Sequence, residues 1–512
     1  MSRTIGSVLR AAAERFGNNT AVVDGDLRIT YDQLHRQARS VAKALLAEGV
    51  RPGDRVAVCA PNGHEWIEAA LAIGYIGAVL VPVNTRYTGP EMVDLLVRTR
   101  ARGFVVAGPF LGVDRLDSVV QTAGSLPADI VTVLRLPEWE TIPARGAAVS
   151  DDELNAVAAA VTPGAPSDIF FTSGTSGRSK GAVSTHSQTL ANAANWAELV
   201  GVTDTDRYLI LSPFFHIFGY KAGILAALQH AAAIYPEQTF DVVRAFDIIA
   251  REKISILPGV PTIHQMMLDH PDRAKYDLSS LRAATTGAAT IPVVLIERMR
   301  DELRYDRVLT AYGLSEAPVV TMCRADDDPA IIATTSGRAV RDMEVRIADD
   351  GEILVRGPNV IAEYFEDPDA TAKAFDDARW FHTGDAGSMD EAGNLRITDR
   401  IKDMFTNGGF NVYPAEVEQV IARIPGVSES AVVGVPEPRL GEVGKAFVVL
   451  AHGSDPEAVT ADAVIAHCRA HLANFKVPRS VEFVTELPRN ATGKVLKRVL
   501  RGEPEPVPGE KR

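Results

Sequence analysis

The chain has 512 residues, a hydrophobic content of 46% that is ordinary for a soluble globular protein, and a net charge of −13. This length is too great for one hydrophobic core and predicts two or more domains. The negative charge disfavours extended nucleic-acid binding, which requires basic surfaces. Cys59, Cys323 and Cys468 lie far apart, which argues against a disulfide framework or closely spaced metal ligands. We therefore expect buried thiols in a reducing cytoplasm.

The most apolar segments do not predict a membrane protein. Arg10 and Glu14 interrupt the amino-terminal apolar residues, so no secretory signal is expected. Residues 69–83 are apolar but fall short of the roughly 20 residues that a membrane-spanning helix needs. We interpret them as a buried helix followed by a buried strand. The sequence thus predicts a cytoplasmic protein without a transmembrane segment, and it leaves open whether the chain forms a homodimer.

Short strands rich in Val, Ile and Leu alternate with amphipathic helices over the first four hundred residues. Strands are predicted at residues 55–60, 78–81, 103–107, 130–133 and 208–212, and helices at residues 31–48 and 64–77. Such alternation predicts an α/β fold with helix-covered, largely parallel sheets. Three glycine-containing strand ends follow, at residues 256–260, 283–289 and 309–316. Because ligands bind beyond the carboxyl ends of parallel strands, we expect these turns to line a pocket.

A loop of hydroxyls, glycines and two cations follows an apolar strand predicted at residues 169–171. Residues 172–181 read TSGTSGRSKG. The glycines permit close backbone approach to a ligand, and the hydroxyls and cations supply the donors that a polyphosphate needs. The alternative is a surface turn, but the position directly after a buried strand favours phosphate binding. The loop lacks Gly-Lys-Ser/Thr, which excludes the common P-loop.

Local signals also mark a helix start and a domain boundary. Thr185 and Gln188 predict a capping box that opens the helix after the phosphate loop. The pattern changes near residues 399–403, where a large N-terminal domain over residues 1–399 is predicted to end. Residues 400–512 are predicted to form a small α+β domain with strands at 428–435, 445–450 and 480–484 and a helix at 461–472. Its last residues, 502–512, are rich in Pro, Glu and Gly and predicted to be disordered.

Several motifs occur together in the order and spacing of one family. They are residues 84–88, 172–181, 213–216, 312–316, 380–385, 399–403, 408–409 with 414–416, and 487–494. Over nearly the whole chain they resemble the adenylate-forming enzymes, specifically the acyl-CoA synthetases. The resemblance implies a large domain of helix-covered sheets and a small, mobile α+β domain. It also implies that ATP and a carboxylate form acyl-AMP and pyrophosphate, and that the acyl group then passes to coenzyme A.

The resemblance assigns the nucleotide and metal contacts residue by residue. The phosphate contacts would be Thr172, Ser173, Gly174, Thr175, Ser176, Gly177, Arg178, Ser179 and Lys180. The remaining nucleotide contacts would be Gly287, Ala288, Ala289, Tyr312, Gly313, Ser315, Asp385 and Arg400, with Asp385 on the ribose hydroxyls. Glu316 and Thr172 would bind Mg²⁺, a hard cation that prefers oxygen ligands. Lys494 would stabilise charge at the α-phosphate and the attacking carboxylate.

Fewer motif residues are assigned to the acyl-binding and CoA-binding parts of the site. The resemblance implies acyl contacts from His216, Tyr220, Lys221, Gly259, Gly287 and Gly313, and a CoA-side loop formed by Gly408, Gly409 and Phe410. Lys402 lies where relatives hinge between two domain arrangements. His216 is interpreted either as a catalytic gate beside the acyl group or as a core histidine. Lys221 either donates to a carbonyl of the acyl group or faces solvent or a nearby acid.

The substrate is indicated by a second set of segments. Residues 214–223, 277–282, 286–294, 311–316, 396–400 and 471–476 resemble an actinobacterial subgroup of CoA ligases of steroid degradation. These activate a methyl-dioxo-octahydroindene propanoate. Alternatives are a medium- or long-chain fatty-acyl-CoA synthetase, an enzyme that loads a carrier protein, or a non-catalytic acyl or nucleotide sensor. The absence of a carrier domain after the small domain favours free CoA, and the presence of Glu316 and Lys494 favours catalysis. Ser176 and Ser315 replace the threonines of many relatives but keep the hydroxyl.

Overall fold

The computed structural model describes residues 3–172, 179–287, 293–400, 403–408, 410–451, 459–489 and 495–502. Several of the predicted site residues lie outside these ranges, namely Ser173, Gly174, Thr175, Ser176, Gly177, Arg178, Ala288, Ala289, Lys402, Gly409 and Lys494. Most of the predicted disordered tail, residues 503–512, lies outside them as well.

Helices occur in both the N-terminal and the C-terminal half of the chain. They are α1 (Ile5–Phe16), α2 (Tyr31–Ala47), α3 (His64–Tyr75), α4 (Gly89–Arg98), α5 (Arg115–Ala123), α6 (Ile142–Arg145), α7 (Asp151–Ala160), α8 (His186–Val200), α9 (Ala226–His230), α10 (Val242–Glu252), α11 (Pro261–Asp269), α12 (Val293–Asp301), α13 (Pro329–Thr334), α14 (Pro368–Ala374), α15 (Pro414–Ile421), α16 (Ala461–His471) and α17 (Lys497–Leu500). A π-helical segment, Phe218–Leu225, precedes α9 directly.

The strands are mostly short. They are β1 (Thr20–Asp24), β2 (Leu27–Thr30), β3 (Arg55–Cys59), β4 (Val79–Pro82), β5 (Gly103–Val106), β6 (Thr132–Arg135), β7 (Pro166–Thr172), β8 (Lys180–Thr185), β9 (Arg207–Ile210), β10 (Ala233–Pro236), β11 (Ile256–Pro258), β12 (Ala283–Gly287), β13 (Arg307–Leu314), β14 (Ala317–Met322), β15 (Arg338–Ala339), β16 (Glu344–Ile347), β17 (Glu352–Arg356), β18 (Glu363–Tyr364), β19 (Phe381–Met389), β20 (Leu395–Arg400), β21 (Phe405–Asn407), β22 (Phe410–Val412), β23 (Val427–Glu437), β24 (Gly441–Leu450) and β25 (Ser480–Phe483).

Two large sheets with parallel centres carry the first part of the chain. One has the strand order β18-β8-β7-β4-β3-β5-β6, and the other has the order β15-β14-β13-β12-β11-β9-β10-β1-β2. Strands β3 to β7 pair in parallel, as do β1 and β9 to β13, while the hairpin strands at the edges pair antiparallel. Helices connect the parallel strands, as such crossovers require. The predicted α/β class is therefore confirmed.

Local sequence explains where the central elements begin and how they are buried. Helix α8 begins with the predicted capping box, in which Gln188 N donates to Thr185 Oγ1 (3.3 Å) and Thr185 N donates to Gln188 Oε1 (2.9 Å).

Residues Trp66 to Tyr75 of α3 are buried on every side. The apolar segment predicted as a buried helix and strand is thus α3 and β4, which belong to the core. Within the described residues, no helix combines the length and apolar character needed to cross a membrane.

The later part of the chain contains two smaller sheets. Strands β16-β17-β19-β20 form an antiparallel sheet, and β22-β21-β24-β23 form a second sheet, in which β25 pairs with β24 in parallel. The second sheet packs its own apolar cluster against α15 and α16 through Val417, Val432, Val448 and Val464. A separate core of this kind is expected of a small domain. The boundary predicted near residues 399–403 falls between β20 and β21, and its position stays a prediction.

Candidate active site

The predicted adenosine contacts come together between two sheets. Strand β12 pairs in parallel with β13, so that Gly287 lies opposite Ala311, next to Tyr312. The Tyr312 hydroxyl donates to Asp385 Oδ2 at 2.5 Å, although Asp385 belongs to β19 of a different sheet. Asp385 is 4% exposed. Two side chains that the sequence assigned to adenine and ribose therefore meet directly.

Hydrogen bonds hold the backbone of Asp385 to Thr383 of its own strand and, through Thr383, to the neighbouring strand β17. Its backbone N–H donates to Thr383 Oγ1 (3.1 Å), and that hydroxyl donates to Ile353 O (2.7 Å) on β17. Across the sheet, Asp385 is the register partner of Arg400 on β20. Directly opposed residues of an antiparallel pair lie within side-chain reach. The register therefore places the backbones of Asp385 and Arg400 opposite each other, and the role of Arg400 at the nucleotide stays a prediction.

The phosphate loop is a β-hairpin at its described ends. Thr172 on β7 lies opposite Lys180 on β8, and Thr172 Oγ1 donates to Lys180 O at 3.4 Å. Arg98 of α4 donates to Ser179 O at 2.8 Å and lies over the Phe171 ring, 5.0 Å from its centroid. Arg98 thus anchors the loop from outside. No motif singled it out, because its partner is a backbone carbonyl far along the chain.

Glu316 has a partner that sequence reasoning missed. The Tyr364 hydroxyl donates to Glu316 Oε1 at 2.8 Å. Tyr364 is placed by the two-residue strand β18, which adds to the edge of β8 with Tyr364 opposite Ala182. Lys180 Nζ lies 5.0 Å from the centroid of the Tyr364 ring. Burial and the nearby Glu316 carboxylate raise the pKa of Tyr364, so the phenol remains a donor at neutral pH.

These contacts connect the two predicted Mg²⁺ ligands through two residues, Lys180 and Tyr364. Thr172 pairs with Lys180, Lys180 lies over Tyr364, and Tyr364 donates to Glu316. Glu316 is partly exposed, and the Tyr364 contact engages only one of its two carboxylate oxygens. The second oxygen, together with the Thr172 hydroxyl, is the type of ligand that a hard divalent cation prefers. The residues present therefore fit a Mg²⁺ ion.

Glycines shape the turns that border this site. Gly313 lies in the β13–β14 hairpin, where a Cβ atom would approach Pro318 O to 2.0 Å, so any side chain would force the hairpin apart. Ser315 is partly exposed in the same hairpin turn. Gly259 follows β11 and donates its N–H to Thr285 O at 3.0 Å. The predicted pocket-lining turns at β11, β12 and β13 are thus adjacent in one sheet.

His216 is a neutral, partly exposed side chain. It lies in the turn before the π-helical segment, and its Nδ1 accepts from Phe218 N at 3.3 Å. Burial of the imidazole lowers the pKa of His216 to about 4, so the ring is uncharged at neutral pH. Partial exposure distinguishes it from the fully buried His264. Its role at the acyl group stays a prediction.

Tyr220, a predicted acyl contact, is buried among aromatic side chains. Its side chain is completely buried, with its ring 5.7 Å from that of Trp66 and 6.1 Å from that of Phe170. A small cavity does lie beside the same π-helical segment, but Tyr220 is not among its lining residues. The structure therefore places the Tyr220 side chain in the aromatic core, and its role as an acyl contact stays a prediction. The sequence shows that Tyr220 is near His216 but not which way its side chain points.

Lys221 is buried in an ion pair. Its Nζ lies 2.8 Å from Asp168 Oδ1 and donates to Ser184 Oγ at 2.8 Å, and the lysine is 1% exposed. Asp168 Oδ2 accepts from Ser167 (2.6 Å) and Thr189 (2.5 Å). Of the alternatives for Lys221, the structure shows a nearby acid and excludes solvent. No motif singled out Asp168, because its partner Lys221 is far along the chain.

The cavity beside Lys221 has a volume of about 20 Å³ and mostly apolar walls. It lies between α8, β14 and the π-helical segment with the residue before it, and is lined by Asn192, Trp196, Ile217, Phe218, Lys221, Ala222, Pro318 and Val319. Ile217 follows His216 in the chain, and Pro318 lies two residues after Glu316. The cavity thus lies beside the segments that carry His216 and Glu316, two of the four predicted catalytic residues. The predicted acyl contacts Gly259, Gly287 and Gly313 are not among its lining residues.

The described part of the predicted CoA-side loop is exposed. Gly408 has a φ of +59°, a conformation that favours glycine, and donates its N–H to Leu440 O at 2.9 Å. Phe410 is 59% exposed and stacks on Phe475, with ring centroids 4.9 Å apart. Lys476 pairs with Glu416 at 2.5 Å. Gly408 and Phe410 are thus accessible, and their contact with CoA stays a prediction.

Comparison with known proteins places the whole chain in one family. The family of AMP-binding enzymes matches residues 9–365, and its C-terminal domain matches residues 416–494. The chain is 54% identical to the 3-[(3aS,4S,7aS)-7a-methyl-1,5-dioxo-octahydro-1H-inden-4-yl]propanoyl:CoA ligase of Rhodococcus jostii (strain RHA1), over 98% of each chain. It is 53% identical to the protein of the same name from Mycobacterium tuberculosis, also over 98% of each chain.

Solved structures agree with this similarity. The anthranilate CoA ligase AuaEII in complex with anthranoyl-AMP superimposes with a TM-score of 0.86 at 25% identity, covering 98% of this chain and 97% of the other. A Mycobacterium tuberculosis fatty acyl CoA synthetase gives a TM-score of 0.73 at 31% identity, covering 98% of each chain. The chain belongs to the family of AMP-binding enzymes, whose fold, with a large N-terminal and a small C-terminal domain, it shares.

Proposed function

We propose that this protein is an ATP-dependent, AMP-forming acyl-CoA ligase. It joins a carboxylate to ATP to give acyl-AMP and pyrophosphate, and it then transfers the acyl group to the thiol of coenzyme A. The observation that carries the proposal is the full-length similarity to two named CoA ligases, at 54% and 53% identity. The pairing of Tyr312 with Asp385 and of Tyr364 with Glu316 supports it, since both lie where the nucleotide motifs converge.

In the proposed reaction the protein acts chiefly by positioning charged reactants. Asp385 accepts hydrogen bonds from the ribose hydroxyls, while the hairpin ends at Thr172 and Lys180 hold the phosphate loop. Glu316 and Thr172 hold Mg²⁺, which neutralises phosphate charge when bound. The sequence assigns Lys494 to the α-phosphate and the attacking carboxylate. Because a carboxylate must approach a polyanion, charge neutralisation and alignment supply most of the rate.

We propose that the second step uses a different arrangement of the small domain. Gly408, with its left-handed backbone, and the exposed Phe410 border the thiol path. The hinge falls near Lys402, as the motif order predicts. Lys494 acts in the first arrangement and leaves the site in the second. Hinge movement of this type changes a few backbone torsions and keeps both cores intact.

The proposed acid is 3-(7a-methyl-1,5-dioxo-octahydroinden-4-yl)propanoate, below called the dioxo acid, the product of partial steroid-ring breakdown. Its support is the activity that the names of two relatives state, both of which match over nearly the full length. A fatty acid is the second candidate, since the chain is also 34% identical to a long-chain-fatty-acid–CoA ligase of Mycobacterium tuberculosis, over 98% of each chain. We place the reaction in the cytoplasm, because Cys59, Cys323 and Cys468 are buried and free. Assembly as a homodimer stays a prediction.

The proposed function is tested by measuring AMP release with ATP, Mg²⁺ and CoA for the dioxo acid, octanoate and palmitate. We expect CoA-dependent AMP release with the dioxo acid at a kcat/KM well above that with the alkyl acids. A preference for octanoate or palmitate would keep the ligase assignment and overturn the steroid one. Absence of AMP release with all three acids would argue against the ligase assignment itself.

A further inference from the structure

A buried ion pair ties the predicted ATP side of the site to the predicted acyl side. Asp168 belongs to β7, which ends at Thr172, and Ser184 belongs to β8, which begins at Lys180. Lys221 belongs to the π-helical segment that follows His216. π-Helical turns occur frequently at functional sites. The lysine thus connects the phosphate-loop hairpin with the segment that borders the cavity.

In the described part of the chain, the ammonium of Lys221 has one more N–H donor than it has polar partners. An ammonium carries three N–H bonds. In the described part of the chain its polar partners are Asp168 Oδ1 and Ser184 Oγ, each at 2.8 Å. The Phe170 ring lies on another side, with its centroid 5.4 Å from Nζ. A further hydrogen-bond acceptor can therefore be accommodated by the remaining N–H bond.

Lys221 also lines the cavity whose other walls are largely apolar. The one other polar lining residue there, Asn192, has its amide already engaged: Nδ2 donates to Gln188 O (2.9 Å) and Oδ1 accepts from Val319 N (3.2 Å). The volume of about 20 Å³ exceeds the roughly 10–15 Å³ that one water needs. It therefore fits a single polar atom, such as a carbonyl oxygen, at an otherwise apolar surface.

We propose that Lys221 determines specificity by donating its remaining N–H bond to a ring carbonyl oxygen of the bound acid. Asp168 neutralises the ammonium and holds it in place, so that the cavity presents a hydrogen-bond donor without an uncompensated charge. The chemical class selected is a cyclic keto acid with an apolar ring body. The inference rests on the proposed ligase function and adds to it the residue that distinguishes a keto acid from a hydrocarbon acid.

The test compares adenylation of the dioxo acid with that of matched acids in which one ring carbonyl is replaced by CH₂. We expect the native enzyme to lose about tenfold or more in kcat/KM for one of the two deoxo acids, because a buried donor would be left unpaired. Equal kcat/KM for all three acids would overturn the inference while leaving the ligase function intact. Absence of adenylation with any acid, octanoate included, would instead overturn the proposed function.

The variants must remove both charges together, since a single substitution would leave its partner buried and unpaired. In D168N/K221M we expect kcat/KM for the dioxo acid to fall to within roughly threefold of kcat/KM for the deoxo acid, as expected of an apolar pocket. D168N/K221Q is the matched control, because its amide keeps an N–H donor, and we expect it to retain more of the preference. Ser184→Ala removes an acceptor but no donor to the acid and should leave the preference in place. A D168N/K221M enzyme that folds and keeps the full preference would overturn the inference.

A spectroscopic measurement on the native enzyme needs no variant. The dioxo acid is labelled with ¹³C at one ring carbonyl at a time, and its infrared stretching band is recorded in the complex with enzyme. We expect one of the two labelled carbonyls to absorb at a lower frequency than the same ketone in an apolar solvent, as hydrogen bonding weakens the C=O bond. Bands at the apolar-solvent position for both labels would overturn the inference even if the double variants failed to fold.

Discussion

The hydroxyl of Tyr312 donates to Asp385 Oδ2 at 2.5 Å and thereby joins two different sheets. Tyr312 lies on β13 of the nine-stranded sheet, and Asp385 lies on β19 of the four-stranded antiparallel sheet. Hydrogen bonds to a charged acceptor are shorter and stronger than neutral ones. This contact therefore fixes the distance between the strand predicted to wall the adenine and the carboxylate predicted to hold the ribose.

Removing that contact should weaken ATP binding. In Tyr312→Phe the ring remains but the donor to Asp385 is lost, and we expect the KM for ATP to rise about tenfold, equivalent to about 1.4 kcal/mol. Tyr305→Phe is the control, because the buried Tyr305 hydroxyl has no hydrogen-bond partner among the described residues. Steady-state kinetics at varied ATP measure the effect. Equal KM values in the native enzyme and Y312F would contradict the assigned role of the pair.

Loss of the Tyr364 donor should weaken the use of Mg²⁺. Tyr364→Phe keeps the ring beneath Lys180 but removes the hydrogen bond to Glu316. Because partners of a metal-binding carboxylate orient it, we expect the Mg²⁺ concentration for half-maximal adenylation to rise about tenfold. Glu316→Gln should have a larger effect, and Tyr305→Phe should have none. If Y364F changed the melting temperature but not the Mg²⁺ dependence, Tyr364 would be a structural residue only.

The two half-reactions should separate at Lys494. We expect Lys494→Ala to lower formation of acyl-AMP at least about 100-fold, because one preorganised positive group at the reacting phosphate is lost. The reaction of supplied acyl-AMP with CoA should remain near the native rate. Lys497→Ala is a nearby control: this lysine pairs with Glu418 at 2.8 Å and should affect neither half-reaction strongly. Equal losses in both half-reactions of K494A would refute the role assigned to Lys494.

Three imidazoles with lowered pKa values should make the fold sensitive to mild acid. Burial lowers the pKa of His186, His216 and His264 to about 4, below the ordinary value of 6.5. The unfolded chain therefore binds more protons between pH 6.5 and pH 4, so stability falls as pH falls through this window and is fully present above it. Each group contributes up to about 1.4 kcal/mol per pH unit to the slope.

His264 offers the sharpest test of this dependence. It is completely buried, and neither ring nitrogen has a hydrogen-bond partner among the described residues. We expect His264→Leu to flatten the plot of unfolding free energy against pH by about 1.4 kcal/mol per pH unit between pH 6 and pH 5. Urea unfolding at several pH values measures the slope. If H264L kept the same slope of unfolding free energy against pH as the native protein, His264 would not be the source of the pH dependence.

The local elements followed from the sequence with small errors. The strand predicted at residues 55–60 is β3, and the helix predicted at residues 31–48 is α2, which ends at Ala47. The strand predicted at residues 130–133 lies two residues further on, as β6 (Thr132–Arg135). Such elements are set by hydrophobic period and by capping residues, which are close together in the chain. Their ends also depend on pairing with neighbouring strands, and here the prediction was least accurate.

The sequence by itself determined the α/β class, the order of the motifs and the residue types of the nucleotide site, because these depend on neighbouring residues. Only the tertiary structure decided which distant side chains meet. Tyr364 reaches Glu316 because a two-residue strand adds to β8, and Lys221 meets Asp168 because the π-helical segment packs on β7. Tyr220, adjacent to Lys221, turns into the aromatic core instead. The order of strands and the direction of each side chain fix these contacts, and both arise from the packing of the whole domain.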